Sequence, residues 1–352
     1  MFWQRCVVNP GRIELARIRD PAVGALTLDR NEYQVNGRSV RLDIAAPARP
    51  NATVPTIVFE SGLGTPGTGD FAHVLPLLPK DLRTIRYDRP GLGGSANDGE
   101  SPTPRHIAAV LHDALAAAGV APPYVLVGHS LGGTRIRMFA GVYSNEVAGL
   151  VFVDPTPDFT RTSDDDLSAV FAPLGLGQKE RDEMRALQKP PNPATPKPIL
   201  AETAMASAMS AAGFPEIQAL PPLRDVPVVV LAGDSDTEWP TSMPVSFDMR
   251  RWVRQWLSVR NASLRRFATG LARGTGRSVS STDRANRLVA RSGSEEAASG
   301  EQVRPLRLDL LLQLPACLGQ GGTLLEPIVG TTRVDHGLGA ERRASSPSSD
   351  RL

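Results

Sequence analysis

Ser130 stands in the run Gly128-His129-Ser130-Leu131-Gly132, with a glycine two residues to either side. Tyr124-Val125-Leu126-Val127 before it is apolar and of strand length, and Leu131 to Phe139 after it reads as a helix. A serine on so sharp a strand-to-helix turn presents its hydroxyl at the surface of the sheet's end. Glycines at the flanking positions remove side chains that would collide there. The placement also sets Ser130 where a helix begins, so amide N–H groups and the helix dipole favour an anion formed on attack. The chemistry this predicts is nucleophilic attack on an acyl carbonyl.

The elements that must position such a serine are legible on either side of it. Tyr33 to Ala45 alternates apolar and polar residues around Asn36-Gly37, which predicts an opening β-hairpin. Short apolar runs follow at Pro55 to Phe59, Leu82 to Tyr87, Tyr124 to Val127, Val147 to Val153 and Val226 to Leu231, with helical patterns between them. That rhythm predicts an α/β fold, a mostly parallel sheet with helices on both faces. Pro104 to Ala118 carries Ile107, Val110, Leu111, Ala114 and Leu115 at helical spacing and meets a stop at Gly119. Between Asp154 and Val226 the strand rhythm lapses, which predicts a helical cap inserted over residues 155–224. The acidic trio Asp164-Asp165-Asp166 reads there as a solvated helix start. The core is then expected in two parts, residues 1–154 and 225–270, and residues 271–352 form an atypical tail rich in Gly, Ser, Arg and Ala.

Several segments together resemble the α/β-hydrolase superfamily, over roughly Tyr33 to Phe267. Phe59-Glu60-Ser61-Gly62-Leu63-Gly64 occupies the place of that family's oxyanion loop, with Ser61 where a histidine is usual. The resemblance implies that the backbone amides of Leu63 and Leu131 hold the oxyanion. Arg86-Tyr87-Asp88-Arg89-Pro90-Gly91-Leu92-Gly93-Gly94-Ser95 is similar to the family turn after the fourth strand, where Asp88 ties down the loop. The run Gly233-Asp234-Ser235-Asp236-Thr237-Glu238-Trp239-Pro240 matches the family's acid turn and selects Asp236, with Asp154 at the end of the preceding strand as the alternative.

A serine hydroxyl is a poor nucleophile without a base, normally a histidine oriented by the acid. Of five histidines, His129 belongs to the turn and His106 and His112 fall on the crossover helix. His73 could line the pocket but precedes the serine, and only His336 follows the acid. His336 lies far later than the family places its histidine. The resemblance therefore implies a serine hydrolase acting on a carboxylic ester or related acyl substrate, with Ser130, Asp236 and His336 as triad. The competing reading is a catalytically impaired relative that lacks the histidine and binds a ligand or is a non-functional variant.

Composition narrows the partners. A formal charge of +2 on 352 residues, with no basic block, argues against nucleic acid and for a small-molecule substrate. No cofactor or metal is implied. Cys6 and Cys317 match no metal or redox spacing, so no disulfide is expected. No apolar run approaches the roughly 20 residues of a membrane helix, and the N-terminus carries no signal-peptide pattern, which predicts a cytoplasmic protein. Only four of the 39 basic residues are lysine, a bias that suggests a GC-rich gene. In such a gene a shifted reading frame stays open and yields Arg-, Gly-, Ala- and Ser-rich sequence, so a frameshift or comparable divergence near Gly270 is expected. Oligomeric state is not legible.

Overall fold

A computed structural model describes residues 27–47, 54–67, 69–156, 163–187, 192–231, 243–275 and 280–282. Eight strands form one sheet in the order β1-β2-β4-β3-β5-β6-β7-β8. Strands β1 (Thr27–Val35) and β2 (Arg38–Ala46) form the opening hairpin. Its turn is Asn36-Gly37, both at positive φ (48° and 74°), the backbone that a two-residue hairpin turn needs. Strand β2 pairs antiparallel with β4 (Thr84–Tyr87). From there β3 (Thr56–Glu60), β5 (Tyr124–His129), β6 (Val147–Val153), β7 (Val228–Leu231) and β8 (Ser280–Thr282) run parallel.

The central strands are apolar on both faces because both faces are covered. Val58, Leu126, Leu150, Phe152, Val228 and Val230 point into one core, together with Ile107, Leu111 and Leu115 of α1 (Pro104–Ala117) and Ile136 and Phe139 of α2 (Gly132–Val142). Their neighbours Ile57, Phe59, Val125, Val127, Val151, Val153, Val229 and Leu231 point into the other, under Phe71, Val74, Leu78 and Leu82. The period of two is thus kept along every central strand. Helix α1 starts at Thr103, whose side chain accepts the His106 amide, and ends before Gly119 at φ 65°.

Between β6 and β7 lie α3 (Ser163–Phe171), α4 (Gln178–Ala186), α5 (Lys197–Ala212) and α6 (Pro215–Gln218). Asp164, Asp165 and Asp166 fall in the first turn of α3, where negative charge suits the helix dipole. Helix α7 (Met249–Thr275) packs Met249, Trp252 and Val253 against Val170, Phe171 and Met184, making a third core. It runs past Gly270, and β8 follows it to pair with β7, so regular structure extends beyond the point where apolar patterning fades in the sequence. Among the described residues no helix is long and apolar enough to cross a membrane.

Candidate active site

The turn after β5 places Ser130 at φ 53°, a left-handed backbone uncommon for any residue but glycine. Neighbouring backbone holds it there. Its amide donates to Val153 O at the end of β6 (3.0 Å), and its carbonyl accepts from Gly133 N (3.0 Å) and Thr156 N (3.2 Å). A Cβ on Gly132 would drive into the Glu60 carbonyl of β3, and one on Gly128 would stand 2.7 Å from Gly132 O, which is why both positions are glycine. Ser130 is buried, and its hydroxyl has no hydrogen-bond partner among the described residues.

Beside Ser130 runs the loop 61–65, in which most backbone groups are committed. Gly62 N donates to Asp70 Oδ2 (2.6 Å) and Gly64 N to Glu202 Oε2 (2.7 Å). The Ser61, Gly62 and Thr65 carbonyls all accept from Arg89 (3.0, 2.7 and 3.2 Å), and Ser61 O accepts from Arg135 as well (3.1 Å). The amides of Leu63 and Leu131 have no partner among the described residues. Two such donors flanking a serine can receive a developing oxyanion.

Behind the loop sits a buried charge quartet that carries no net charge. Arg89 bridges Glu60 (3.0 Å) and Glu202 (2.5 Å), and Arg135 reaches the same two carboxylates (3.3 and 3.0 Å). Tyr87 donates its hydroxyl to Glu60. All four charged side chains are at most 3% exposed. Burial alone would raise the Glu202 carboxyl, but Arg135, Arg89 and the Gly64 amide outweigh it and hold it at about 2. Burial and the adjacent Glu60 push the Tyr87 phenol far above its ordinary value, so it stays a donor. Asp70 follows the logic of Glu202. Burial raises it, yet the His129 imidazole (2.7 Å), the Gly62 amide and Arg89 bring it below the usual carboxylate range.

Of the residues singled out in the sequence, Leu131 follows Ser130 on the turn, and Leu63 follows Gly62, where a Cβ would stand 3.3 Å from Ser130 Cβ. Asp236 and His336 lie outside the described residues. Asp154 follows β6 at φ 43°, donates its amide to Leu231 O (2.8 Å) and pairs its carboxylate with Arg260 of α7. Asp88 ties its turn down by accepting from Gly67 N (2.9 Å) and Gly94 N (2.8 Å). His129 is held by Asp70, His106 by Asp98 (2.7 Å), and His112 by Asp113 and Glu146 (3.1 and 3.2 Å), while His73 is exposed. None of these four imidazoles bonds to Ser130.

Sequence reasoning missed Glu60, Asp70, Arg89, Arg135 and Glu202. One signal was available. Arg135 sits in α2 among Thr134, Ile136, Met138 and Phe139, all buried, and a charge at such a position needs an opposite charge beside it.

Comparisons with known proteins agree with this architecture. The model of the Alpha/beta hydrolase family matches residues 21–291. An uncharacterized protein of Schizosaccharomyces pombe (strain 972 / ATCC 24843) is 44% identical over 81 residues, covering 23% of this chain and 15% of that protein. The pyrrolizixenacetamide deacetylase of Xenorhabdus hominickii is 31% identical over 99 residues, 28% of this chain and 37% of its own. The matched stretch spans less than half the length of either curated relative. Among solved structures, Cfl2 of Burkholderia cenocepacia superposes with a TM-score of 0.45 at 19% identity, covering 74% of this chain and 91% of that one.

Proposed function

The chain belongs to the Alpha/beta hydrolase family, and from that premise we propose that it is a serine hydrolase cleaving a carboxylic ester or a related acyl substrate. The observation that carries this reading is the pairing of Ser130 on its left-handed turn with the two uncommitted amides of Leu63 and Leu131. In this mechanism Ser130 Oγ attacks the acyl carbonyl while a histidine takes its proton. The Leu63 and Leu131 amides hold the tetrahedral oxyanion until the bond to the leaving group breaks and the histidine returns the proton to it. Water, activated by the same histidine, then releases the acid and regenerates Ser130. Asp236 is assigned to orient the base and His336 to be it, following the chain order Ser, Asp, His. The helices between β6 and β7 serve as a cap that shapes the acyl pocket. A relative named a deacetylase is in keeping with removal of an acyl group.

A fluorophosphonate probe tests this. The protein should be labelled at one site, and labelling should vanish in Ser130→Ala. Folded protein that takes up no label would overturn the enzymatic reading and favour the ligand-binding one.

A further inference from the structure

Glu202 belongs to the segment between β6 and β7, yet its carboxylate lies under the loop beside Ser130. It is the one buried residue of α5, a helix of 16 residues. Its deepest contact is therefore a carboxylate, while its apolar residues, Met209 against the first core among them, are only partly buried. Its first turn rests directly on the loop, since a Cβ on Gly64 would stand 3.0 Å from Ile199 Cγ2, and Gly64 has a φ of 69°.

The consequence for the loop follows from peptide planarity. In a trans peptide unit the C=O and the N–H point in opposite directions. The unit joining Gly62 to Leu63 is pinned only at its oxygen, by the Arg89 guanidinium at 2.7 Å and more weakly by the Thr65 amide at 3.3 Å, so the Leu63 N–H is aimed away from Arg89. The preceding unit is pinned at both ends, Ser61 O by Arg89 and Arg135 and Gly62 N by Asp70. The following unit is pinned at its N–H, where Gly64 donates to Glu202 (2.7 Å), and at its oxygen by the longer bond from Thr65 Oγ1 (3.4 Å). Arg89 is in turn gripped by both Glu202 oxygens, Nε to Oε1 (2.5 Å) and Nη2 to Oε2 (3.0 Å). Glu202 thus acts on the Leu63 amide from two sides, through Gly64 directly and through Arg89 indirectly.

We propose that Glu202 is a positioning residue, carried by α5, that aims the Leu63 amide and so makes the oxyanion hole depend on how α5 is seated. This rests on the serine-hydrolase reading for its catalytic consequence, though not for its structural one. A donor displaced by about 1 Å can cost on the order of 10²-fold in rate. Loss of Glu202 should lower kcat by about that factor while KM, set by contacts elsewhere, moves little.

The test uses the full chain with Glu202→Gln, and with Glu202→Asp, which keeps the quartet's charge balance while shortening the reach to Gly64. With a short-chain activated ester, kcat should fall in both and KM should stay near wild type. A trifluoromethyl ketone, whose serine adduct needs the same hole, should weaken in parallel with kcat/KM. Amide exchange at Gly62 and Gly64 should quicken in both variants while β5 exchange is unchanged. If wild type is inert to fluorophosphonate, the serine-hydrolase reading fails, and amide exchange alone decides this proposal. Unchanged exchange, a rise in KM at constant kcat, or failure of both variants to fold would each overturn it.

Discussion

A serine held at φ 53° costs on the order of 1–3 kcal/mol, so its surroundings must over-determine it. They do so through three backbone hydrogen bonds and through close approach of β3 to the start of α2 at Gly132. Gly132→Ala pushes a methyl group into the Glu60 carbonyl, a backbone atom of a central strand that cannot swing aside. The expected loss is about 1–3 kcal/mol of unfolding free energy, read from urea denaturation. Activity should fall further than stability, because the same shift displaces the Leu131 amide. A variant as stable and as active as wild type would refute the close approach. The turn itself was legible in the sequence because its strand, its flanking glycines and its helix adjoin it in the chain, whereas its anchors at Val153, Thr156 and Glu60 lie far from it. Glu202 was not, because its partners Arg89 and Gly64 are 113 and 138 residues away and nothing local marks a lone glutamate among alanines and methionines.

Elements show the same division. The hairpin, the central strands and α1 announced themselves because each buries an apolar face or needs a particular turn, and periodicity records both. Helix α5 records its face weakly, since its one buried residue is a carboxylate and its apolar residues, Met209 among them, are only partly buried. Helix α7 lies between these cases. Its apolar residues Met249, Trp252 and Val253 are local, but their partners in α3 and α4 lie far away in the chain. Trp252 is fully buried and meets Phe171 edge-on at 5.9 Å, in a core separate from the two that sandwich the sheet. Trp252→Ala should therefore remove about 3–5 kcal/mol of stability, and the sheet cores should keep their slow amide exchange while α3 and the start of α7 lose theirs. Equal loss of protection everywhere would show the three cores to be one cooperative unit.

Across the whole molecule a formal charge of +2 conceals a balanced interior, in which two glutamates and two arginines are buried together beside the loop. Such a group is stable only while all four members are charged, because removing one leaves an uncompensated charge in a dry site. Glu202 has an ordinary value of 4.5 and is held at about 2 in the folded chain, against the burial that alone would raise it. A carboxylate depressed on folding stabilises the protein above its unfolded value, and that contribution is lost as pH falls toward its folded one. Asp70, also lowered, acts in the same sense. Unfolding free energy should therefore decline as pH drops from about 4.5 to about 2. Glu202→Gln should be less stable at neutral pH by about 3–5 kcal/mol, since it leaves Arg89 and Arg135 to share Glu60, with one positive charge uncompensated. Its decline across that acid window should be shallower, so the two curves converge at the acid end, with a residual slope from Asp70. Denaturant titrations at stepped pH measure both, and parallel curves for the two proteins would show that the charge of Glu202 does not hold the loop's foundation together.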